Sequence, residues 1–372
     1  MKRLLSIFVI ACLLLCACAK EPAEQTSEPT LTEPTTAATT EPTTVPATAE
    51  TTVPATSEAT EPPVVINFRN PLNGTPLDEL YTARPFAIVI NNIVYAQPMC
   101  SLNNADFVFE LLAEGGITRC LAVFGSIEGV DHIGAIRSTR PYMVQLASSF
   151  DAIFVHHGGS ADGYDKLYEL DVDYLDALSG DGEAYYRDQQ RLDAGYSLEH
   201  TSFADGDDLI DEARKNEYAF AREEGMDYGF LFDDFGSTTE GESAPKMTIG
   251  FGRGGKTTKL SYDETTGKYA AEQYGDVIVD GNTDEQVSYR NVLMLTADIY
   301  DYERNEVARV HIELLGEGTG YFACDGKIVP IKWSRATDYD PFVFTHEDGT
   351  PITFGVGNTY VAITPLNGTI EY

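Results

Sequence analysis

The stretch DAIFVHHGGS, residues 151–160, decides the fold class of this 372-residue chain. Residues 152–155 form an apolar run of the length of a buried strand, and the glycines at 158 and 159 end it. Ser160 is a residue preferred at helix N-caps, so a helix is expected over residues 161–170. A strand, a glycine turn and a helix form an α/β unit, which predicts a mixed α/β domain here.

A predicted hairpin lies upstream of this unit. Residues 106–114 and 117–124 are strand-like runs around Gly115-Gly116, a turn sequence that favours a β-hairpin. A helix over residues 104–113 is the competing interpretation. Apolar spacing and end signals predict further elements of this domain: a strand over 86–90, a helix that begins near Pro141 and runs to 150, and a helix over 205–216.

From about residue 246 onward the pattern changes to short alternating runs separated by turns such as Asp280-Gly281 and Asp325-Gly326. This pattern predicts a β-rich domain. The fold class expected is α+β, with an N-terminal mixed α/β domain over 64–233, a linker over 234–245 and a β-rich C-terminal domain over 246–372.

The N-terminus has the pattern of a bacterial lipoprotein signal. Lys2 and Arg3 precede an apolar segment, residues 4–15, that is too short to span a bilayer, and Leu15 and Ala17 stand three and one residues before Cys18. Residues 1–17 are therefore predicted to be removed and Cys18 to be acylated, which anchors the protein to the membrane. An ordinary secretory signal with incidental cysteines is the alternative.

Residues 18–63 are predicted to form a disordered tether behind the anchor. Residues 21–63 hold 14 Thr, 8 Pro and 8 Glu and no Phe, Tyr, Trp or Ile, so this segment cannot build a core. A flexible chain of this length spans roughly 35–40 Å and a polyproline-like one about 130 Å. The folded part is thus expected outside the cell, at the outer face of the cytoplasmic membrane.

The charge of the chain excludes several classes of partner. Lys and Arg total 25 against 59 Asp and Glu, a net charge of −34. Phosphate binding by nucleic-acid proteins needs clustered Lys and Arg, so no nucleic-acid partner is expected. The same acidity opposes electrostatic docking to an anionic membrane, which leaves the acyl chains of Cys18 as the membrane contact.

One cluster of polar residues stands out as a candidate anion site. Three arginines lie within residues 119–140, two of them just before the predicted helix at Pro141, and the glycines at 158–159 precede a second predicted helix start. Helix N-termini and arginines both favour carboxylate or phosphate. A structural network in which Glu110 and Glu114 neutralise the arginines is the alternative. The candidate ligand-binding residues are Asn91, Asn92, Glu114, Arg119, Arg137, Ser138, Arg140, His156, Gly158, Gly159 and Ser160.

Catalysis is the competing hypothesis for the same residues. Glu110 or Glu114 with His156 could supply acid and base groups to an enzyme that acts on the cell wall, a hydrolase or a transferase. His156 and His157 are expected on opposite faces of a strand and so not on one metal ion. The common zinc and serine-hydrolase motifs are missing from the sequence, so no enzyme class is indicated and no cofactor or metal is expected.

Residues 250–257, GFGRGGKT, match the G-x-x-x-x-G-K-[ST] phosphate-loop pattern. That pattern requires a helix after it, whereas Thr258–Tyr262 alternates like a strand. A glycine-rich hairpin is predicted instead, with no nucleotide bound. The acidic loop at 280–284 departs from a calcium loop, because Glu285 replaces the required glycine.

The chain resembles the YerB-like lipoproteins of Gram-positive bacteria, a family of unknown function. The resemblance covers about residues 70–372, with departures at His157 and Arg335. It implies an exported, lipid-anchored protein of two domains near the cell wall and its synthases. The motifs that carry it are 84–92, 113–119, 136–141 and 155–160 in the first half, and 262–263, 291–292, 316–321 and 333–335 in the second.

These observations favour a non-enzymatic binding or accessory module for a cell-wall ligand, such as peptidoglycan, or for an envelope protein such as a cell-wall synthase. The wall-acting enzyme is the first alternative. The second is a solute-binding lipoprotein, a class that usually has two similar α/β lobes around a hinge, which the β-rich second half does not match.

Overall fold

The computed structural model describes residues 68–302 and 308–372, which belong to one compact unit, Val64–Tyr372. The predicted signal peptide, the predicted tether and Cys18 lie outside the described residues. No helix in these two described ranges is long and apolar enough to cross a membrane.

The first half of the chain alternates strands and helices. Its strands are β1 (Phe68–Arg69), β2 (Pro76–Leu77), β3 (Phe86–Asn92), β4 (Phe107–Leu112), β5 (Thr118–Phe124), β6 (Ile133–Gly134), β7 (Ile153–His156), β8 (Tyr174–Asp176), β9 (Tyr185–Arg187), β10 (Ser202–Ala204) and β11 (Leu231–Asp233). Its α-helices are α1 (Pro141–Ser149), α2 (Ala161–Glu169), α3 (Gln189–Asp193) and α4 (Gly206–Lys215).

The second half, within the described residues, consists of strands joined by turns. They are β12 (Glu242–Ser243), β13 (Lys246–Gly250), β14 (Thr257–Asp263), β15 (Lys268–Gln273), β16 (Asp276–Val277), β17 (Ser288–Tyr289), β18 (Asn291–Ala297), β19 (Ile299–Asp301), β20 (Val310–Ile312), β21 (Gly316–Cys324), β22 (Lys327–Arg335), β23 (Val343–Thr345), β24 (Thr353–Gly355), β25 (Thr359–Pro365) and β26 (Thr369–Glu371).

The fold class expected from the sequence is confirmed, a mixed α/β first half followed by a β-rich second half. One feature was not predicted: both halves contribute to a single eleven-stranded sheet, in the order β12-β22-β21-β18-β25-β4-β5-β3-β7-β8, with β23 paired to β22. The halves meet where β25 runs parallel to β4. Every residue of both strands is buried, as expected for strands covered on both faces.

The described residues form five smaller sheets besides the large one, three of them with only two strands. The second half forms a six-stranded sheet, β16-β15-β14-β13-β26 with β17 on β15. The first half forms a three-stranded sheet, β6-β10-β9. This small sheet brings residues near 134, 187 and 202 together, although they are far apart in the sequence.

The core is continuous across the two halves. Phe107 packs on Phe230 with ring centroids 5.0 Å apart and on Phe150 at 5.6 Å. Phe230 in turn packs on Phe354 of the second half at 5.4 Å. Burial of such large rings contributes about 2 to 3 kcal/mol each, so the halves share much of their stability.

Most of the predicted elements of the first half are present. Helix α1 begins at Pro141 and α2 begins after Ser160, whose Oγ accepts a hydrogen bond from the Gly163 N–H at 3.3 Å. Strands β4 and β5 form the predicted antiparallel hairpin. The competing helix over 104–113 is wrong, because six of these residues form the buried strand β4.

The predicted linker at 234–245 joins the halves with little regular structure. Its last part contains β12, which pairs with β22 at the edge of the large sheet. The glycine-rich segment 250–257 connects β13 to its antiparallel neighbour β14. A hairpin therefore stands where a phosphate loop would need a helix.

Candidate functional site

Parallel strands place several predicted site residues at one edge of the large sheet. Strand β3 is parallel to β7, and β7 to β8, so their carboxyl ends meet at the same edge. Ligands of α/β sheets usually bind in the crevice beyond such ends. Asn92, His156 and Asp176 are the last residues of these three strands.

Glu114, Arg119 and Arg140 form one ion-pair network close to this edge. One carboxylate oxygen of Glu114 accepts from the Arg140 guanidinium at 2.6 Å, and the other accepts from that of Arg119. Arg119 also donates to the Ser138 carbonyl at 2.6 Å and is only 1% exposed. The turn that presents Glu114 needs glycine, since Gly115 has a φ of 64°.

The pKa values of this network reflect its excess of arginine. Burial would raise the pKa of Glu114, but Arg119 and Arg140 outweigh burial and lower it. Burial, helped by repulsion from Arg140, lowers the pKa of Arg119 to about 10. The single carboxylate of Glu114 thus pairs with two guanidinium groups, and the network carries a net positive charge.

His156 lies in a separate buried network. Its Nδ1 is 2.9 Å from the Gly158 carbonyl and 3.7 Å from Asp176. Burial lowers the pKa of His156, so the imidazole is neutral and its Nδ1–H donates to the carbonyl. The residue is fully buried.

The glycine turn after β7 already holds an anion, one supplied by the protein. The Gly158 N–H donates to Asp176 at 2.7 Å, and the Leu178 N–H donates to the same carboxylate at 3.0 Å. Ser160 caps α2, and Gly159 pairs with Thr139 across an isolated bridge. Two of the backbone donors predicted to bind a ligand are therefore used within the protein, Gly158 N–H by Asp176 and Ser160 N–H by the Thr139 carbonyl at 3.4 Å.

Glu110 is 0% exposed, on β4 in the middle of the large sheet. Its carboxylate accepts from Thr118 at 2.7 Å, Thr258 at 2.8 Å, Gln273 at 3.0 Å and Tyr360 at 2.6 Å. Three of these donors belong to the second half of the chain. Glu110 is thus the centre of a network that joins the two halves.

Lys256, the lysine of the phosphate-loop pattern, completes that network. Its Nζ lies 3.3 Å from Glu110 and 4.3 Å from the centroid of the Tyr274 ring, and its side chain is 2% exposed. Burial lowers the pKa of Lys256, and Glu110 opposes this shift. The lysine that would reach a phosphate in a phosphate loop points into the protein.

Asn91 and Asn92 close the end of β3 through their side chains. The Asn91 Nδ2 is 2.9 Å from His200 Nδ1, and Asn92 Nδ2 donates to Thr118 at 3.0 Å. Tyr274 donates to the Asn92 carbonyl at 3.0 Å. Asn91 thereby fixes His200, which lies next to an open cleft.

One open cleft, with a volume of about 550 Å³, lies beyond the ends of β7 and β8, and Glu199, the neighbour of His200, lines it. We call it the arginine cleft. Two of the predicted ligand residues, Arg137 and Ser138, line it together with His157. Its lining residues are Ile136, Arg137, Ser138, His157, Leu178, Arg187, Ser197, Leu198, Glu199 and Ser202.

Hydrogen bonds define the orientation of the groups in the arginine cleft. Arg187 donates to the Leu198 carbonyl at 2.7 Å and lies 3.3 Å from His157 Nε2. The other nitrogen of His157 is 2.6 Å from Ser202 Oγ. His157 is thus neutral, with Nε2 accepting from Arg187 and Nδ1–H donating to the serine.

Arg137 has few partners in this cleft. Its side chain is 20% exposed, and its ion pair with Glu199 is long, at 4.0 Å. Its buried Nε has no hydrogen-bond partner among the described residues. Burial is the main cause that lowers the pKa of His157, and Arg187 and Arg137 lower it further, so the cleft is electropositive.

The sequence identified Arg137 and Ser138 but not Arg187, Glu199 or Ser202. Arg187 is far from the arginine cluster in sequence and reaches it through the pairing of β9 with β10. His157 stood out only as a departure from the family pattern. Arg187 carried no local signal, because its position depends on a long-range strand pairing.

The described residues contain no group of three or more His, Cys, Asp or Glu side chains placed to hold a metal ion. The acidic loop near 280 has a structural role. Asp280 is fully buried and accepts from the backbone N–H groups of Ser101 and Asn103, both at 3.0 Å.

Comparisons with known proteins identify the family. Residues 72–219 match the N-terminal domain, and residues 247–361 the C-terminal domain, of the family described as protein of unknown function DUF3048. The chain belongs to this family. The YerB-like resemblance expected from the sequence is confirmed.

A protein of Bacillus subtilis (strain 168) named "Putative lipoprotein YerB" is 29% identical over 308 residues, which are 82% of this chain and 88% of that protein. The crystal structure of the YerB protein from Bacillus subtilis is similar, with a TM-score of 0.70 and 27% identity over 82% of this chain and 99% of the crystallised one.

Proposed function

We propose that this member of the DUF3048 family is an exported lipoprotein that binds an anionic cell-wall ligand in its arginine cleft. Acylated Cys18 would hold it at the outer face of the cytoplasmic membrane, and residues 18–63 would let the folded part reach the wall. The name of the Bacillus subtilis relative supports the anchor.

The observation that carries the proposal is the surplus of positive charge in the arginine cleft. Arg137 and Arg187 face Glu199 as the one acidic residue of the lining, in a chain of net charge −34. Arginine binds carboxylate and phosphate through paired N–H donors. The Arg137 side chain is 20% exposed and its ion pair with Glu199 is long, at 4.0 Å, so an anionic ligand in the cleft would supply a closer partner for its guanidinium.

The alternatives have less support from the geometry. Glu110 and His156 are fully buried with separate partners, which argues against an acid/base pair in a cleft. The large sheet runs through both halves, which argues against two lobes around a hinge.

The test is a pull-down with purified peptidoglycan sacculi and a chain of residues 64–372, which form one compact unit. The protein should pellet with the sacculi and release no fragments. The Arg137→Ala/Arg187→Ala variant should stay in the supernatant. Arg214→Ala/Arg253→Ala, which removes the same charge from exposed ion pairs, is the matched control and should still pellet.

Two outcomes would count against the proposal. Soluble sugar-peptide fragments in the supernatant would favour an enzyme that acts on the wall. If the 64–372 chain without substitutions stays in the supernatant, a partner in the membrane, such as a cell-wall synthase, would be favoured.

A further inference from the structure

A second cleft shares lining residues with the arginine cleft. It has a volume of about 560 Å³ and is lined by Ile93, Val94, Tyr95, Gly195, Tyr196, Ser197, Glu199 and His200. Ser197 and Glu199 line both clefts. Two Cα steps separate these residues, at most about 7 Å, so the two clefts border the same short segment. We call the two clefts together the groove.

The segment between the clefts is held in place from several sides. It is a 3-10 turn, Leu198–His200, and Arg187 donates to its Leu198 carbonyl at 2.7 Å. Arg191 donates to the His200 carbonyl at 3.2 Å, and Asn91 fixes the His200 ring. The groove is therefore preorganised, which lowers the entropy cost of binding.

The two ends of the groove differ in chemistry. Arg137, His157 and Arg187 give the first end its positive charge. The second end presents tyrosines: Tyr95 is 73% exposed, and Tyr196 is fixed because its hydroxyl donates to the Gln97 carbonyl at 3.0 Å and Arg191 lies 5.2 Å from its ring centroid.

Tyrosine combines a flat apolar ring with a polar edge. A saccharide ring has the same combination, with C–H groups on its faces and hydroxyls around its rim. Ligand sites are commonly clefts lined by aromatic side chains together with a few placed polar groups. An anionic group on the same saccharide would fit the arginines at the other end.

We infer that the groove binds an acidic saccharide, with its carboxylate between Arg137 and Arg187 and its sugar ring against Tyr95 and Tyr196. This inference rests on the proposed function and names the class of ligand. A free anion would use the arginine cleft alone, and a neutral sugar would lack the charged contact.

The experiment compares three probes by NMR titration of the 64–372 chain at pH 7. N-acetylmuramic acid carries both groups, lactate carries the carboxylate arm alone, and N-acetylglucosamine carries the ring alone. N-acetylmuramic acid should bind at least about fivefold more tightly than either of the others, the gain expected from one aromatic contact.

Variants assign the contacts. Tyr95→Ala should reduce the affinity for N-acetylmuramic acid to about that of lactate and leave lactate binding unchanged, while Tyr95→Phe should keep the ring contact. Arg137→Ala should weaken both anionic probes by about tenfold or more, the loss typical of a charged hydrogen bond.

The titration distinguishes failure of saccharide binding in the groove from failure of anion binding in the arginine cleft. Equal affinities for N-acetylmuramic acid and lactate would overturn the saccharide inference and leave the anion cleft standing. No binding of either anionic probe would overturn both. An unchanged response of Tyr95→Ala to N-acetylmuramic acid would also overturn the saccharide inference, since the ring would then lie elsewhere.

Discussion

Two charged regions of this protein differ in how completely their charges are satisfied. Around Glu110, four hydrogen-bond donors and Lys256 enclose one carboxylate in the core. In the arginine cleft, Arg137 is 20% exposed and its ion pair with Glu199 is long, at 4.0 Å. A closed network of charge stabilises a fold, whereas an incomplete one at an open cleft can bind a ligand.

The position of each region fits this difference. The Glu110 network joins β4 to strands of the second half, where two halves of the chain must be held together. The arginine cleft lies at the carboxyl ends of parallel strands, where α/β sheets bind ligands. The two regions should therefore respond to mutation through different measurements, stability for the first and affinity for the second.

The largest effect is expected when the Glu110 network is broken. Glu110→Gln leaves the buried Lys256 without its counter-charge, which should lower the free energy of unfolding by about 3 to 5 kcal/mol. Urea denaturation of the 64–372 chain measures this change. Glu317→Gln, at an exposed position of β21, is the control and should change stability by less than about 0.5 kcal/mol.

A double variant distinguishes the loss of the Glu110–Lys256 ion pair from the cost of leaving the Lys256 ammonium buried without a partner. Adding Lys256→Met to Glu110→Gln removes the unpaired ammonium, so part of the stability should return. A loss below about 1 kcal/mol for Glu110→Gln alone would show that the network does not hold the halves together.

An intermediate effect should separate two arginines that the sequence grouped together. Arg119→Met removes a buried guanidinium that donates to Glu114 and to the Ser138 carbonyl, at a cost of about 2 kcal/mol. Arg137→Met removes a guanidinium with few partners and should cost less than about 0.5 kcal/mol. Equal losses in urea denaturation would contradict the division between network and cleft.

The sequence predicted the local elements because their signals are local. Pro141 and Ser160 mark helix starts, and the strand-like runs 106–114 and 117–124 on either side of Gly115-Gly116 mark a hairpin. It did not predict that β25 pairs with β4, since a parallel pairing across about 250 positions leaves no pattern in either strand. The shared sheet follows from that pairing.

The same limit applies to the site. The arginine cluster was recognisable by composition, but its division was not: Arg119 and Arg140 share Glu114, and Arg137 faces the cleft. Glu110 and Glu114, four residues apart, belong to different networks because a strand ends between them. Such assignments require the positions of partners that are distant in the sequence.

The smallest expected effect is the pH dependence of anion binding, which tests whether His157 belongs to the ligand site. The charged and titratable neighbours of His157 are Arg187, Arg137, Asp176 and His156. Burial first, and then repulsion from Arg187 and Arg137, lower the pKa of His157 in the free protein. An anion bound between the arginines would offset their charge and raise this pKa.

The sign of the effect follows from proton linkage. Between the lower pKa of the free protein and the higher pKa of the complex, the complex holds a proton that the free protein lacks, so affinity must rise as the pH falls through this window. Lactate keeps a constant charge from pH 8 to pH 5.5, and its affinity should rise by about threefold over that range. His157→Gln should flatten the profile, whereas His200→Gln, in the neighbouring cleft, should keep it. A flat profile in the unaltered protein would place the anion away from His157.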